Sequence, residues 1–325
     1  MGVTMREVAG RAGVSVKTVS RVVNDEPHIR PATRALVRAA IAELGWTPNA
    51  SARTLRTGRT GVIGIAVADL RRPLLAAVVE RLVTELDRHG LHASVEPTHD
   101  DPARLASVLA QRGHTFDALL VVDAPELPAT TAADEGGPVI RVEVTRRPPA
   151  AQVAGTDAVS ADLDQAVDLA LRHLQVMGRG RAVRLGPGPL AEREQVRLVA
   201  RVDPEPGRVG RAAGYRAAQR ALVDQPGVDA LICGTDEIAL GALAGLHAAG
   251  VEVPGRVALI GYGNLDDGRF STPSLSTIDP DPPSLARGAV DLLAARLAGD
   301  DQAPRAITVP VALVQRESTS GPGAR

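Results

Sequence analysis

Lys17, Thr18, Ser20 and Arg21 lie in one short stretch and share one kind of chemistry. Each carries donors that suit phosphate oxygens or the acceptor atoms on base edges. No competing chemistry of similar density occurs elsewhere. Gly186-Pro187-Gly188-Pro189 is glycine-rich, but its prolines lack the N–H groups that a phosphate cradle needs, so it reads as a turn. The chain has no Walker A run, no GxGxxG after a strand and no G-x-S-x-G elbow. Its seven histidines are scattered without ligand spacing, and His173 reads as structural. The single cysteine, Cys233, excludes internal disulfides and fits a reducing compartment. The expectation is a protein that is not an enzyme and needs neither metal nor cofactor.

The elements that must position those donors come first in the chain. Thr4 is a plausible N-cap, Val8, Ala9 and Ala12 repeat at helical spacing, and Gly13 breaks the run. Ser15 caps a second short helix in which Val16, Val19, Val22 and Val23 form an apolar stripe. Two short amphipathic helices joined through Gly13-Val14 predict a helix-turn-helix. The four donors fall off the valine stripe, on the face that cannot be core. A polar loop over Asn24 to His28 follows. Pro31 then opens a third helix with Leu36, Val37, Ala40, Ile41 and Leu44 as its apolar face, Gly45 stops it, and Trp46 follows.

Charge supports a polyanion partner at this end only. Residues 1–60 hold ten basic and four acidic residues, a net of +6, and the remainder holds 27 basic and 34 acidic, a net of −7. The chain of 325 residues is too long for one small helical domain, and 44% hydrophobic content with mean hydropathy near zero fits a soluble globular protein. No run of 18 apolar residues and no leading apolar block occurs, so a cytoplasmic protein with no membrane association is expected.

The run MREVAGRAGVSVKTVSRVVND, then Thr33-Arg34, then Leu44-Gly45-Trp46-Thr47-Pro48-Asn49, closely resembles the DNA-binding headpiece of the lactose/galactose-repressor (LacI/GalR) family. The resemblance runs to the C-terminus, dense at the head and patchy in the effector pocket. It implies that helix 15–24 enters a major groove, with Val16, Lys17 and Arg21 touching bases and Thr4, Ser15, Thr18, Ser20, Asn24 and His28 touching phosphates. It also implies that residues 47–59 form a hinge helix that orders on DNA. There Asn49, Ala52 and Leu55 would engage the minor groove, and an apolar wedge such as Leu55 kinks the duplex.

From Gly61 the pattern changes. GVIGIAV (61–67), HASVEP (92–97), DALLVV (117–122) and PVIRVEV (138–144) are short apolar runs, with helical patterns at 74–89, 102–113 and 126–135 between them. A second set follows: helix 164–177, strands 182–185 and 197–202, helix 212–223, strand 229–233, helix 236–249 and strand 256–261. Strands buried on both faces and alternating with helices predict two doubly wound parallel sheets with a ligand site at their carboxyl ends. By resemblance this is a periplasmic-binding-protein-like effector domain whose chain crosses between halves near 160, 280 and 308. The tail VPVALVQREST (309–319) matches the family's closing strand and its Arg316-to-Thr319 ending. No leucine heptads follow, so a homodimer rather than a coiled-coil tetramer is expected.

The expected architecture is an all-α helix-turn-helix headpiece (1–46), a hinge (47–59) and an α/β effector-binding and dimerisation domain (60–325). The N-subdomain covers 60–160 and 281–308, the C-subdomain 161–280 and 309–319. Family-like pocket positions are Glu143, Asp162, Arg193, Thr235, Asp236, Tyr262, Asn264 and Phe270. Several depart from the family pattern: Thr235-Asp236 stands where relatives carry Asn-Asp, Gly263 where they carry a pocket carboxylate, and Val209 where they often carry an aromatic. A sugar site wants paired planar hydrogen-bonding groups and an aromatic platform. With 2% aromatic residues, only Tyr262 and Phe270 are platform candidates, so a typical hexose is not expected.

The functional expectation is an effector-controlled homodimeric repressor that binds a palindromic double-stranded DNA operator, its small-molecule effector unidentified. Two alternatives remain open on the sequence. One is a DNA-binding regulator with a vestigial or non-sugar pocket. The other is a cytoplasmic small-molecule sensor without specific DNA readout.

Overall fold

The computed structural model describes residues 3–23, 26–46, 58–124, 127, 136–146, 156–186, 201–202 and 210–321. It divides into two compact units, Met1–Gly61 and Val62–Arg325. Residues 47–57 of the expected hinge with Asn49, Ala52 and Leu55, the helix at 126–135 apart from Leu127, and the positions Asn24, Arg193 and Val209 lie outside the described residues.

The first unit is three helices: α1 (Met5–Ala12), α2 (Val16–Val23) and α3 (Pro31–Leu44). Thr4 caps α1 in a reciprocal capping box with Glu7. Gly13 ends α1 with φ 66°, a left-handed conformation that an L side chain resists, and this turns the chain into α2. Ser15 Oγ accepts from the Thr18 amide at 3.1 Å, which caps α2. Val8, Ala9, Val19, Val22, Val37, Ala40 and Trp46 form the core. Two expected core positions fall outside it. Leu36 is 57% exposed, because it sits about 100° round the helix from the stripe that Val37, Ala40, Ile41 and Leu44 complete. Val16 is 42% exposed on the first turn of α2, so the buried part of the valine stripe begins at Val19.

The second unit carries two six-stranded sheets. The first contains β1 (Val62–Val67), β2 (His92–Pro97), β3 (Ala118–Val122), β4 (Val139–Glu143), β5 (Asp157–Ala161) and β11 (Ala306–Val309), all parallel, in the order β11-β5-β4-β3-β1-β2. The second contains β6 (Ala182–Leu185), β7 (Arg201–Val202), β8 (Ala230–Cys233), β9 (Ala258–Tyr262), β10 (Ser276–Asp279) and β12 (Ala312–Val314), in the order β12-β10-β9-β8-β6-β7. Four of its pairings are parallel and β12 runs antiparallel to β10. The connecting helices are α4 (Pro73–Arg88), α5 (Pro102–Leu109), α6 (Leu163–Val176), α7 (Arg211–Asp224), α8 (Asp236–Ala248), α9 (Asp266–Arg269), α10 (Pro282–Leu297) and α11 (Glu317–Ser320).

Within each sheet the winding reverses at the strand that begins it, between β1 and β3 and between β6 and β8. Crevices open at the carboxyl ends of strands where such a reversal occurs. A continuous core that includes Val67, Leu75, Ile140, Ala166, Ile232, Ile260, Tyr262 and Leu285 spans both sheets. Each of the Val, Leu and Ile side chains among them stabilises by about 1.5–3 kcal/mol on full burial. Helices α7 and α8 approach backbone to backbone, since a Cβ on Gly214 or Gly241 would overlap the Ile238 or Arg211 carbonyl oxygen.

Several boundaries differ from the sequence pattern. Helix α5 ends at Leu109 rather than 113, since the chain turns through Gly113 at φ 75°. Of the strand expected at 197–202, Arg201–Val202 is described. The tail is a strand only at Ala312–Val314 and closes as the turn α11, while Val309 belongs to the other sheet. Strands β5, β10 and β11 and helix α10 lie outside the runs that the apolar pattern predicts.

Candidate nucleic-acid interface and effector site

Helix α2 presents Val16 and Lys17 to solvent, with Thr18, Ser20 and Arg21 half-buried. This is the face that the valine spacing required to be polar. The hydroxyls of Ser15 and Thr18 are 2.9 Å apart, which orients both at the start of the helix. Arg21 Nε donates to Glu26 Oε2 at 2.9 Å, a partner that side-chain periodicity could not reveal because Glu26 lies beyond the helix. The Thr4 hydroxyl accepts from the Glu7 amide at 3.4 Å, which is its cap bond, and donates to the Glu7 carboxylate at 2.8 Å. The Glu7 carboxyl is held below its usual range by the Thr4 backbone and hydroxyl donors. His28 is exposed with φ 69°.

Glu143 and Tyr262 stand at the carboxyl ends of β4 and β9, and Asp236 follows β8. Glu143 closes β4 and is 1% exposed, its Oε1 paired with Arg141 Nη2 at 2.5 Å. Its Oε2 has no hydrogen-bond partner. Burial raises the Glu143 carboxyl to about 7 against the opposing pull of Arg141, with Asp123 adding to the rise. Asp236, at the start of α8, is fully buried and accepts from the Thr277 hydroxyl at 2.6 Å and the Leu265 amide at 2.8 Å. Burial raises it to about 6, although Thr277 and Leu265 favour the charged form. A Cβ on Gly261 would overlap Asp236 Oδ1, so glycine there lets the carboxylate lie against the end of β9.

Other expected positions have local structural roles. Thr235 caps α8 by accepting from the Ile238 amide. Asp162 caps α6 through the Gln165 amide at 2.8 Å, where the chain leaves the first sheet. Asn264, with φ 50°, donates to Asp279 and accepts from Arg316, at 2.8 and 2.7 Å. Tyr262 is 1% exposed, and its hydroxyl donates to the Val144 carbonyl at 2.6 Å. Phe270 instead is 77% exposed and lines a shallow hollow with Arg211, Leu240, Asp266, Asp267 and Ser271. It follows the single-turn helix α9, which carries its ring outward and not onto an enclosed platform.

Sequence reasoning missed Asp123, Thr145 and Arg72. Asp123 directly follows β3, is fully buried at φ 52°, and accepts from the Val144 and Thr145 amides and the Thr145 hydroxyl. Arg72 Nη2 donates to the same Thr145 hydroxyl at 3.0 Å. The available signal was position, since Asp123 follows the strand run DALLVV, where doubly wound sheets place their site. His173 is buried with Nε2 2.8 Å from Thr319 Oγ1, and burial lowers its basicity. Among the described residues no group of three metal-ligating side chains forms, and no helix is long and apolar enough to cross a membrane.

The fold is a helix-turn-helix head followed by a two-sheet α/β body. Residues 4–49 match the model of bacterial regulatory proteins of the lacI family, and residues 189–319 match the periplasmic binding protein-like domain. The HTH-type transcriptional repressor PurR of Escherichia coli O1:K1 / APEC is 30% identical, over 98% of this chain and 97% of that protein. The chain belongs to the LacI family of bacterial transcriptional regulators. The solved Lac repressor dimer bound to operator and the anti-inducer ONPF has the same fold, with a TM-score of 0.80 at 24% identity, covering 98% of this chain and 99% of that one. A LacI-family regulator structure from Sanguibacter keddieii is 31% identical with a TM-score of 0.68, covering 81% of this chain and all of that one.

Proposed function

We propose that this LacI-family DNA-binding regulator is a homodimeric repressor that lays α2 in the major groove of each half of a palindromic operator. The observation that carries the reading is the face of α2 that bears exposed Val16 and Lys17 and half-buried Arg21, on a head of net charge +6 before a body of net charge −7. Lys17 and Arg21 match the acceptor pair of guanine, and Val16 matches an apolar base edge. Thr4, Ser15, Thr18, Ser20, Asn24 and His28 position the head on phosphates. Asn49, Ala52 and Leu55 engage the minor groove. The relatives support the remaining features: the solved Lac repressor is a dimer on operator with a small-molecule anti-inducer. The protein acts in the cytoplasm and catalyses no reaction.

The effector occupies the carboxyl ends of the two sheets, beside Glu143 and Asp236. Its binding changes DNA affinity through a coupling of about 1–3 kcal/mol. Gly263 in place of a carboxylate, the outward Phe270 and the enclosed Tyr262 favour an effector other than a hexose. The test is selection of bound sequences from a random DNA pool at moderate salt. A palindrome is expected, and Arg21→Ala then costs about 1–3 kcal/mol on that site but not on random DNA. Recovery of no motif, with binding that fades uniformly as salt rises, overturns the reading.

A further inference from the structure

Glu26 is joined to the recognition helix in two ways. Its amide donates to the Arg21 carbonyl at 3.0 Å, and its carboxylate accepts from Arg21 Nε at 2.9 Å. Its own carbonyl accepts from Arg34 Nη2 at 3.2 Å, which ties it to α3. The carboxylate therefore projects from a backbone fixed to both α2 and α3, and its place follows the helices rather than its own rotamer alone.

The choice of nitrogen matters. An arginine that reads guanine end-on uses two parallel N–H groups toward O6 and N7. Holding Nε leaves the Nη pair at the far end of a guanidinium whose plane Glu26 has already set. A side chain oriented before binding loses less rotamer freedom on contact. The carboxylate also repels phosphates, so it favours the base edge over the backbone as the destination of the Arg21 guanidinium. Both side chains remain about two-fifths exposed, so the pair is open to the groove and not sealed in the core.

We propose that Glu26 is a specificity-determining positioning residue, which sets the Arg21 guanidinium for bidentate readout of one base pair in each operator half-site. The proposal rests on the reading of Arg21 as a base-contacting residue. The operator recovered by selection supplies the test, through a set of single-base-pair substitutions and a random duplex. Affinities of full-length wild type, Arg21→Ala, Glu26→Ala, Glu26→Gln and the double alanine variant are measured on the whole set at one salt concentration. The readout is the ratio of specific to random affinity, which removes any uniform gain from deleting a negative charge near DNA.

Glu26→Ala is expected to lower that ratio about two- to five-fold, the range of an exposed ion pair. The loss should fall at the base pair where Arg21→Ala relaxes discrimination, and the double variant should lose no more than Arg21→Ala alone. Glu26→Gln keeps an acceptor for Nε but loses the ion pair, so it should lower the ratio less than Glu26→Ala, by about two-fold at the Arg21 base pair. It decides the matter if Glu26→Ala unfolds the head, which emission of the single, buried Trp46 reports. In that case a Glu26→Gln ratio reduced at the Arg21 base pair supports the proposal, and an unchanged profile overturns it. Losses that are uniform, lie at other base pairs or add to those of Arg21→Ala overturn it too. Equal loss by Arg21→Ala on specific and random DNA is a different failure, since it removes the base-reading role of Arg21 itself.

Discussion

The Tyr262 hydroxyl, at the end of the second sheet's β9, donates to the Val144 carbonyl just beyond β4 of the first sheet, at 2.6 Å. The two residues lie 118 positions apart, yet the bond joins the carboxyl ends of both sheets. Asp123 holds the Val144 and Thr145 amides from below the same segment, so the accepting carbonyl is itself fixed. Tyr262→Phe leaves that carbonyl without its partner at little change in volume. A loss of about 1–3 kcal/mol in unfolding free energy is expected, measured by denaturant titration. An unchanged midpoint would show that the bond contributes nothing to holding the halves together.

Asp236 makes stability depend on pH in the direction opposite to most carboxylates. Burial raises its folded pKa to about 6 from an ordinary value of 3.8. The folded state therefore binds more protons than the unfolded state between these values. The stability it contributes is complete below about pH 4 and is lost as pH rises through about 6. Asp236→Asn should flatten the fall in melting temperature between about pH 4 and 6 relative to wild type. Parallel pH profiles for the two proteins would sink this assignment.

Asp157 works with the opposite sign. Its burial favours the neutral form, but hydrogen bonds from Arg296 and the Arg305 amide, with the charge of both arginines, outweigh it and hold its pKa below the ordinary value. Arg296 Nε meets Asp157 Oδ2 at 2.6 Å and ties α10 to β5. The stability from this pair is present above the ordinary carboxylate pKa and disappears as pH falls through the lowered one. Asp157→Asn should lower the melting temperature at pH 7, and the difference from wild type should shrink as pH falls through the lowered pKa. A loss that stays constant down to the acid limit of folding would point to packing and not to charge.

Gly13 tests the turn of the helix-turn-helix. It holds φ 66° with open space where a Cβ would stand, so Gly13→Ala adds backbone strain without a clash. A cost of about 1–2 kcal/mol is expected for the left-handed conformation. The head should then unfold at a lower temperature by Trp46 emission. If Trp46 reports no change, the turn tolerates a side chain and another residue sets its angle.

Much of the head was legible in the chain itself. Thr4, Gly13, Ser15 and Gly45 act through bonds to residues within a turn or two, and valine spacing at helical period determined which face of α2 is polar. The alternation of short apolar runs with helical patterns likewise determined a doubly wound body, because strands covered on both faces need apolar residues at every position. Tertiary structure alone decided the rest. Leu36 has the residue type of a core position but is exposed, since neighbouring helices cover only one stripe. Phe270 was a platform by type and points outward because a one-turn helix precedes it. Glu143 and Arg141 are polar residues in a strand that looked simply apolar, and their pairing becomes visible only when the sheet removes both from water. The partners of Asp123, Asp236 and Tyr262 lie 21 to 118 residues away. Local sequence determines local bonds, whereas contacts across such separations exist only after the sheets have formed.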